Sequence, residues 1–219
     1  MFIAALRSLR GRPEAEAFGP ASEGAVSLGV MEQTIRRRLQ GLAAGGEGPS
    51  GELLQRFLTE QLTPAVERVA AWCREAAARA GIAFEEPLPR AEQTLSPSDF
   101  GFHNALRSGG RVVFLDFEYF GWDDPAKLAS DLLWHPAMQL SDELKVRWLR
   151  GLSRAFGAGL SRRLPLISPL CGLKWCTIFL NEFVPQFRRR RAFAWVETEG
   201  DDVRLEQLSK AERMLGRVL

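Results

Sequence analysis

Three side chains within residues 95–122 have the types and the spacing needed to hold a metal ion and accept a proton. The stretch reads LSPSDFGFHNALRSGGRVVFLDFEYFGW, and its chemically useful side chains are Asp99, Asn104 and Asp116. Two carboxylates and an amide oxygen suit a hard cation such as Mg²⁺, which prefers oxygen ligands and keeps sites for water and substrate phosphates. The sequence therefore predicts a magnesium site, provided that the chain folds back on itself within this stretch.

A β-hairpin is the element that we expect to bring these side chains together. Its strands are predicted at 104–106 and 111–117, and the turn 108–110 between them contains two glycines, which adopt positive φ without a Cβ clash. Pairing of the strands places the first residue of the hairpin near Asp116 at the open end. Asp99 lies five residues before the hairpin, in a loop that can reach the same point.

The order of these motifs resembles the catalytic segment of the aminoglycoside phosphotransferase family. The chain shows Asp-x4-Asn, a hairpin that ends in hydrophobic-Asp-Phe-Glu, and then Gly-x-x-Asp-Pro. That family has the protein-kinase-like fold and includes choline-kinase-like and homoserine-kinase-like small-molecule kinases. The resemblance implies phosphate transfer from ATP or another nucleoside triphosphate to a hydroxyl of a small acceptor. Asp99 would accept the hydroxyl proton, and Asn104 and Asp116 would hold the Mg²⁺ on the nucleotide phosphates.

The chain departs from the family pattern on both sides of the hairpin. Residues 97–98 are Pro-Ser where the family usually has His-Gly, and Leu128 stands where it often has a second acid, the next acid being Asp131. Two roles are open for Asp124. It could take part in catalysis, or it could cap a helix whose first residue is Pro125.

Further polar side chains are candidates for the site. His103 could act as a base or pack against the loop, and Glu118 could reach the metal through a water or face solvent. Residues 168–184 are hydrophobic nearly all round, which predicts a buried helix whose polar residues need partners. The resembled family places acceptor-site groups on such a helix. The candidates there, which could equally be ordinary residues of a helix edge, are Lys174, Asn181 and Glu182.

Composition limits the classes of function. Hydrophobic content of 46% and charged content of 26% are typical of a soluble globular protein. Two histidines and three cysteines without metal-like spacing make a zinc site improbable and predict reduced thiols in the cytoplasm. A net charge of +2 predicts no strong attraction to nucleic acid or to membranes, and no acid-rich pocket for polycationic antibiotics. We find no signal peptide and no unbroken apolar run of roughly 20 residues.

Helices are expected on both sides of the hairpin, because apolar residues recur there every three or four positions. The fold class predicted is α+β and predominantly helical, a protein-kinase-like C-lobe with a small hairpin at the active site. Tyr119, Phe120 and Trp122 are expected to pack as a lid, and the arginine runs at 36–38 and 188–191 are expected to face solvent. The predicted helices are 1–10, 26–43, 52–80 divided at Pro64, 125–134, 141–157, 168–184 and 201–219.

The predicted organisation is one C-terminal phosphotransferase lobe over residues 1–219. Residues 1–94 are helical with a Gly-rich linker near 41–51, 95–122 hold the catalytic loop and hairpin, and 125–219 are helical. A β-rich nucleotide-binding lobe with a phosphate-covering loop and a lysine is expected before Met1 and is not found in this chain, so a separate lobe is a possible partner. The alternatives to a kinase are a catalytically inactive kinase-like module for binding or scaffolding, and a helical regulator that merely contains an acidic hairpin.

Overall fold

The computed structural model describes residues 2–45, 48–185, 187 and 201–219. These residues are mostly helical with few strands, which confirms the predicted α+β class at that level. The arginine run predicted to be exposed at 188–191 lies outside the described residues. The helices are α1 (Phe2–Leu9), α2 (Leu28–Ala43), α3 (Gly48–Phe57), α4 (Thr63–Arg79), α5 (Pro125–Trp134), α6 (Asp142–Phe156), α7 (Ala158–Phe179) and α8 (Asp201–Val218).

The chain divides into two compact units. The first consists of Met1–Met31 and Ala76–Cys171, and the second of Glu32–Glu75 and Gly172–Leu219. All the strands among the described residues belong to the first unit, together with the segment that holds Asp99 and the hairpin. The second unit is helical in its described part, where Ser50 Oγ of α3 donates to Asp201 Oδ1 of α8 at 2.7 Å.

Two short antiparallel ladders build the strand part of the first unit. In the inner one, β2 (Ala105–Ser108) pairs with β3 (Arg111–Phe114), which is the predicted hairpin with its glycine turn. In the outer one, β1 (Thr94–Ser96) pairs with β4 (Gly121–Asp123), so that the two ends of the 95–122 stretch are tied together. The outer ladder was not predicted from the sequence.

Close backbone approach explains the glycine at the start of β4. The Trp122 amide donates to Gly19 O, and the Ala21 amide donates to Trp122 O, both at 2.9 Å. A Cβ on Gly121 would lie 2.5 Å from Ala21 N and 2.6 Å from Gly19 O. Only glycine fits between these backbones without a shift of the chain.

Trp122 is a core residue, so the prediction that it forms part of a lid is wrong. Its side chain is 2% exposed, packs with Leu6, Ala15 and Leu95, and donates from Nε1 to Ala15 O at 2.9 Å. The unpredicted pairing of β4 with β1 is the reason, because it places the indole inside the unit. Tyr119, by contrast, is exposed.

Two helices differ from their predicted bounds because proline is better tolerated than expected. α3 begins at Gly48 rather than at 52, and a π-helical turn at Leu58–Leu62 leads into α4, whose second residue is Pro64. α7 begins at Ala158, ten residues before the predicted start, and contains Pro165 and Pro169. Packing of its buried apolar face offsets the backbone hydrogen bonds that these prolines cannot make.

By length and composition, the segment Ala158–Phe183 could cross a membrane, although Arg162, Arg163 and Lys174 interrupt its apolar residues. Its most apolar window is 56% buried inside the protein. Burial of this kind is what the core helix of a folded protein shows. The predicted helix 168–184 itself ends earlier, at Phe179, and a 3-10 turn at Leu180–Phe183 follows.

The arginine run 36–38 does not simply face solvent. Arg36 Nε binds Glu32 Oε1 at 2.7 Å, and its Nη1 binds Glu67 Oε1 at 2.6 Å. Glu32 is 3% exposed and also accepts from Arg74 at 2.5 Å. Arg37 is exposed as predicted. Arg36 pairs with the buried Glu32 carboxylate, because burying an unpaired charge is unfavourable.

Candidate functional site

In the hairpin, Asn104 lies opposite Leu115, the residue directly before Asp116. Asn104 closes a 3-10 turn (Phe102–Asn104) directly before β2, and the Leu115 amide donates to Asn104 O at 2.8 Å. The predicted second strand is too long, since β3 ends at Phe114 and Asp116 lies in the exit loop. At φ +61°, Asp116 adopts the left-handed conformation, which Asp tolerates better than most residues.

Asn104 also binds the loop that carries Asp99. Its Nδ2 donates to Asp99 O at 3.1 Å and to Asp99 Oδ2 at 3.2 Å. With the amide nitrogen turned toward Asp99, the amide oxygen is the atom of Asn104 that can serve a ligand. One side chain therefore connects the proposed proton acceptor to the exit of the hairpin.

Ser98 occupies the position where the resembled family usually has glycine. It adopts φ +64°, a conformation that costs a non-glycine residue about 1–2 kcal/mol. Its Oγ donates to Ser22 O at 2.7 Å, its amide donates to Ser96 Oγ at 3.1 Å, and the Asp99 amide donates to Pro97 O at 2.8 Å. These bonds hold the loop in a shape that glycine reaches without strain.

Both histidines of the chain lie against Asp99. His103 Nε2 is 3.1 Å and His135 Nε2 is 3.8 Å from Asp99 Oδ1, and the two rings stack with centroids 4.2 Å apart. Burial, assisted by His103, lowers the pKa of His135 to about 4, so this imidazole is neutral at pH 7. Gly101 makes room for the pair, because a Cβ there would lie 2.5 Å from His103 Nδ1. His135 was not found from sequence, since it is 36 residues away from Asp99.

Asp99 belongs to two sets of possible metal ligands. Asp99, Asn104 and Asp116 offer the oxygen atoms that Mg²⁺ prefers. Asp99, His103 and His135 offer three ligand atoms within 4.8 Å of one another, a nitrogen and oxygen set that suits a transition metal. The chain has only two histidines, but the fold places both beside one carboxylate.

Tyr119 lies among the carboxylates of the segment. A hydrogen bond to Glu118, then burial, then the charges of Glu118, Asp116 and Asp99 raise the pKa of the Tyr119 phenol. The Glu118 amide donates to Asp116 Oδ1 at 3.4 Å. The charges of Asp99, in the loop, and of Asp116, at the hairpin exit, therefore both act on the Tyr119 phenol.

Asp124 caps a helix, which confirms that alternative. Its Oδ1 accepts from the Ala126 amide at 2.7 Å, with Pro125 at the first position of α5, and its Oδ2 accepts from Arg163 Nε at 2.6 Å. Burial raises the pKa of Asp124, and Arg163 opposes that rise. Both oxygens are engaged and the residue is 1% exposed.

Sequence reasoning did not detect the buried charge cluster beside this cap. Lys127 is 0% exposed and donates from Nζ to Asp123 Oδ2 at 2.9 Å and to Asp131 Oδ2 at 2.6 Å. Asp123 Oδ1 also accepts from the Ala25 amide at 2.8 Å. Burial alone would lower the pKa of Lys127, but the two carboxylates outweigh it and raise that pKa. The i, i+4 spacing of the three side chains was the available signal.

The three acceptor-side candidates belong to the second unit. Lys174 is 5% exposed, and Asn181 Oδ1 accepts from Arg38 Nη1 at 3.2 Å. Glu182 is partly buried, and both it and Lys174 have interaction partners. These contacts meet the requirement that buried polar groups be paired. A role in acceptor binding stays a prediction.

No protein-family model matches the chain, and no curated protein sequence matches it. Among solved structures, a choline/ethanolamine kinase family protein from Mesorhizobium loti matches with a TM-score of 0.54 and 19% identity. The match covers 98% of this chain and 64% of that chain. At this identity the match shows the fold, which is kinase-like as the motif resemblance implied.

Proposed function

We propose that this protein is a small-molecule kinase that transfers a phosphoryl group from ATP, or another nucleoside triphosphate, to a hydroxyl of a small acceptor. The observation that carries the proposal is the pair of bonds made by Asn104, to the carboxylate of Asp99 and to the amide of Leu115. They join the loop to the hairpin exit, where Asp116 follows. This is the order in which a kinase site needs its proton acceptor and its metal ligands.

In the proposed reaction, Asp99 accepts the proton of the acceptor hydroxyl as its oxygen attacks the terminal phosphorus. The bond from that phosphorus to the bridging oxygen breaks, and the nucleoside diphosphate leaves. Asn104 Oδ1 and the Asp116 carboxylate are the groups that would hold Mg²⁺, which supplies charge neutralisation on the phosphates. His103 and His135 restrain Oδ1 of Asp99.

The solved structure suggests which acceptors to test first. It is described as a choline/ethanolamine kinase family protein, so amino alcohols head the panel, followed by sugars and aminoglycosides. The chain spans 64% of the length of that protein, and the activity of the whole neighbour is therefore carried over here as a proposal.

The test measures Mg²⁺-dependent phosphoryl transfer by the full protein across this panel. Asp99→Ala should lose about 10²–10⁴ in kcat, the usual contribution of general-base catalysis, and Asp116→Ala should lose more because metal positioning is lost as well. Asp142→Ala is the matched control, because that carboxylate is on the surface of α6. An Asp99→Ala enzyme as active as wild type would overturn the proposal. Absence of metal-dependent ATP binding by the wild type would favour the helical regulator that merely contains an acidic hairpin.

A further inference from the structure

A pocket of about 330 Å³ in the first unit has three arginines in its wall. Arg7 comes from α1, Arg10 follows that helix, and Arg163 comes from α7. Two carboxylates, Glu92 and Asp124, complete its charged lining. These elements differ from the hairpin that carries Asn104 and Asp116.

Arg163 is the buried group that points to a ligand. It is 7% exposed, and its Nε binds Asp124 Oδ2 at 2.6 Å. Its Nη2 is fully buried and finds no hydrogen-bond acceptor among the residues that the structure describes. A buried charged donor without an acceptor is unfavourable, so an oxygen supplied from the pocket would stabilise this arrangement.

Arg7 and Arg10 add unbalanced positive charge to the same wall. Burial lowers the pKa of the Arg10 guanidinium, and the neighbouring charge of Arg7 lowers it further. Arg10 Nη2 donates to Ala91 O, which holds the guanidinium at the pocket. Since Asp124 is already bound to Arg163, two arginines face one carboxylate, and the pocket has an excess of one positive charge.

We propose that this pocket binds the phosphate group of a small phosphate monoester. The N–H groups of Arg163, Arg7 and Arg10 donate to the phosphate oxygens, because planar guanidinium groups match tetrahedral oxyanions better than point charges do. The positive end of the α5 dipole lies at the same wall through Pro125 and favours an anion. A volume of about 330 Å³ is near the lower limit for small-molecule sites, which suits a phosphate with a short organic part. The site is independent of the function proposed for Asp99.

The test is calorimetric titration of the full protein with inorganic phosphate and with glycerol 3-phosphate, at constant ionic strength set with chloride. Arg7→Gln/Arg10→Gln should weaken binding between about 10-fold and 100-fold, as expected for lost charge-assisted hydrogen bonds. Arg163 is left intact in this variant, because its removal would leave the buried Asp124 carboxylate unpaired. Urea unfolding of the variant confirms that it is folded.

Two further proteins make the result specific. Arg147→Gln/Arg150→Gln removes the same charge at the same spacing from the exposed face of α6, and Asp99→Asn alters the catalytic candidate. Both should bind phosphate as the wild type does. An absence of binding to the wild type, an equal loss in the Arg147/Arg150 control, or a loss confined to Asp99→Asn would each overturn the proposal.

Discussion

Replacement of Lys127 by methionine should strongly destabilise the protein, because it leaves two buried carboxylates without their shared cation. Nζ lies 2.9 Å from Asp123 and 2.6 Å from Asp131, and the side chain is 0% exposed. Removing one partner of a buried ion pair costs about 3–5 kcal/mol. Asp123 keeps the amides of Ala25 and Asp124 as donors, at 2.8 and 2.9 Å, so we expect the lower end, about 3 kcal/mol.

This loss is large compared with a total unfolding free energy of roughly 5–15 kcal/mol. With a urea dependence of about 2 kcal/mol per molar, the unfolding midpoint should fall by about 1.5 M. Circular dichroism reports the transition, because the chain is mostly helical. Lys145→Met is the matched control, since that lysine is on the surface of α6 and pairs with an exposed Asp142, and its midpoint should be unchanged.

The pH dependence of stability is a second test of whether the Lys127 charge stabilises the folded protein. The pKa of Lys127 is raised in the folded state, so the folded protein holds this proton more tightly than the unfolded chain does. The stabilisation is then complete below the unfolded lysine pKa of about 10.4 and is lost as pH rises through the folded value. The contribution of the Lys127 proton to the stability of the wild type should therefore be constant from about pH 6 to 9. A variant as stable as Lys145→Met would refute the reasoning.

Two further perturbations test the environment of Asp99 and the buried thiols. Gly101→Ala should displace His103 from Asp99, since the new Cβ would lie 2.5 Å from His103 Nδ1. Nuclear magnetic resonance of the imidazole should show a changed His103 signal. An unchanged spectrum would contradict the close contact between Gly101 and His103. Burial raises the pKa of Cys73 and of Cys176 to about 12, so neither thiol should react with a disulfide reagent at pH 8 until the protein unfolds. Because the unfolded thiol ionises near pH 8.5, stability should fall between about pH 8.5 and 12, and rapid labelling of the native protein would show that these sites are open.

Features that depend on adjacent residues could be predicted from the sequence. Ser141 caps α6 through its Oγ, and Gly157 ends that helix at φ +70°, as the serine followed by acids and the later glycine indicated. The hairpin turn has Gly109 and Gly110 at positive φ. In each case the residue type itself restricts the backbone or supplies the bond, so the signal is contained in a few neighbouring positions.

Features that depend on distant residues could not be predicted. β1 and β4 are three residues each and lie 25 or more residues apart, too short for a periodic pattern to show. Arg163 reaches Asp124 across 39 residues, and His135 reaches Asp99 across 36. The spacing of residues along the chain does not predict such contacts, because they form only when helices and strands pack.

Burial separates the acids that hold the fold from those that can meet a ligand. Asp123 and Asp124 are 0% and 1% exposed, and each is paired with a cation and with backbone amides. Paired in this way they fix the junction between β4 and α5, and their substitution should affect stability first. The Asp99 side chain is 41% exposed and Asp116 is exposed, so both can accept a proton or a metal from solution. The letters Asp-Asp-Pro and Asp-Phe-Glu look equally acidic in the sequence, and it is burial in the folded unit that distinguishes the paired carboxylates of the first motif from the exposed Asp116 of the second.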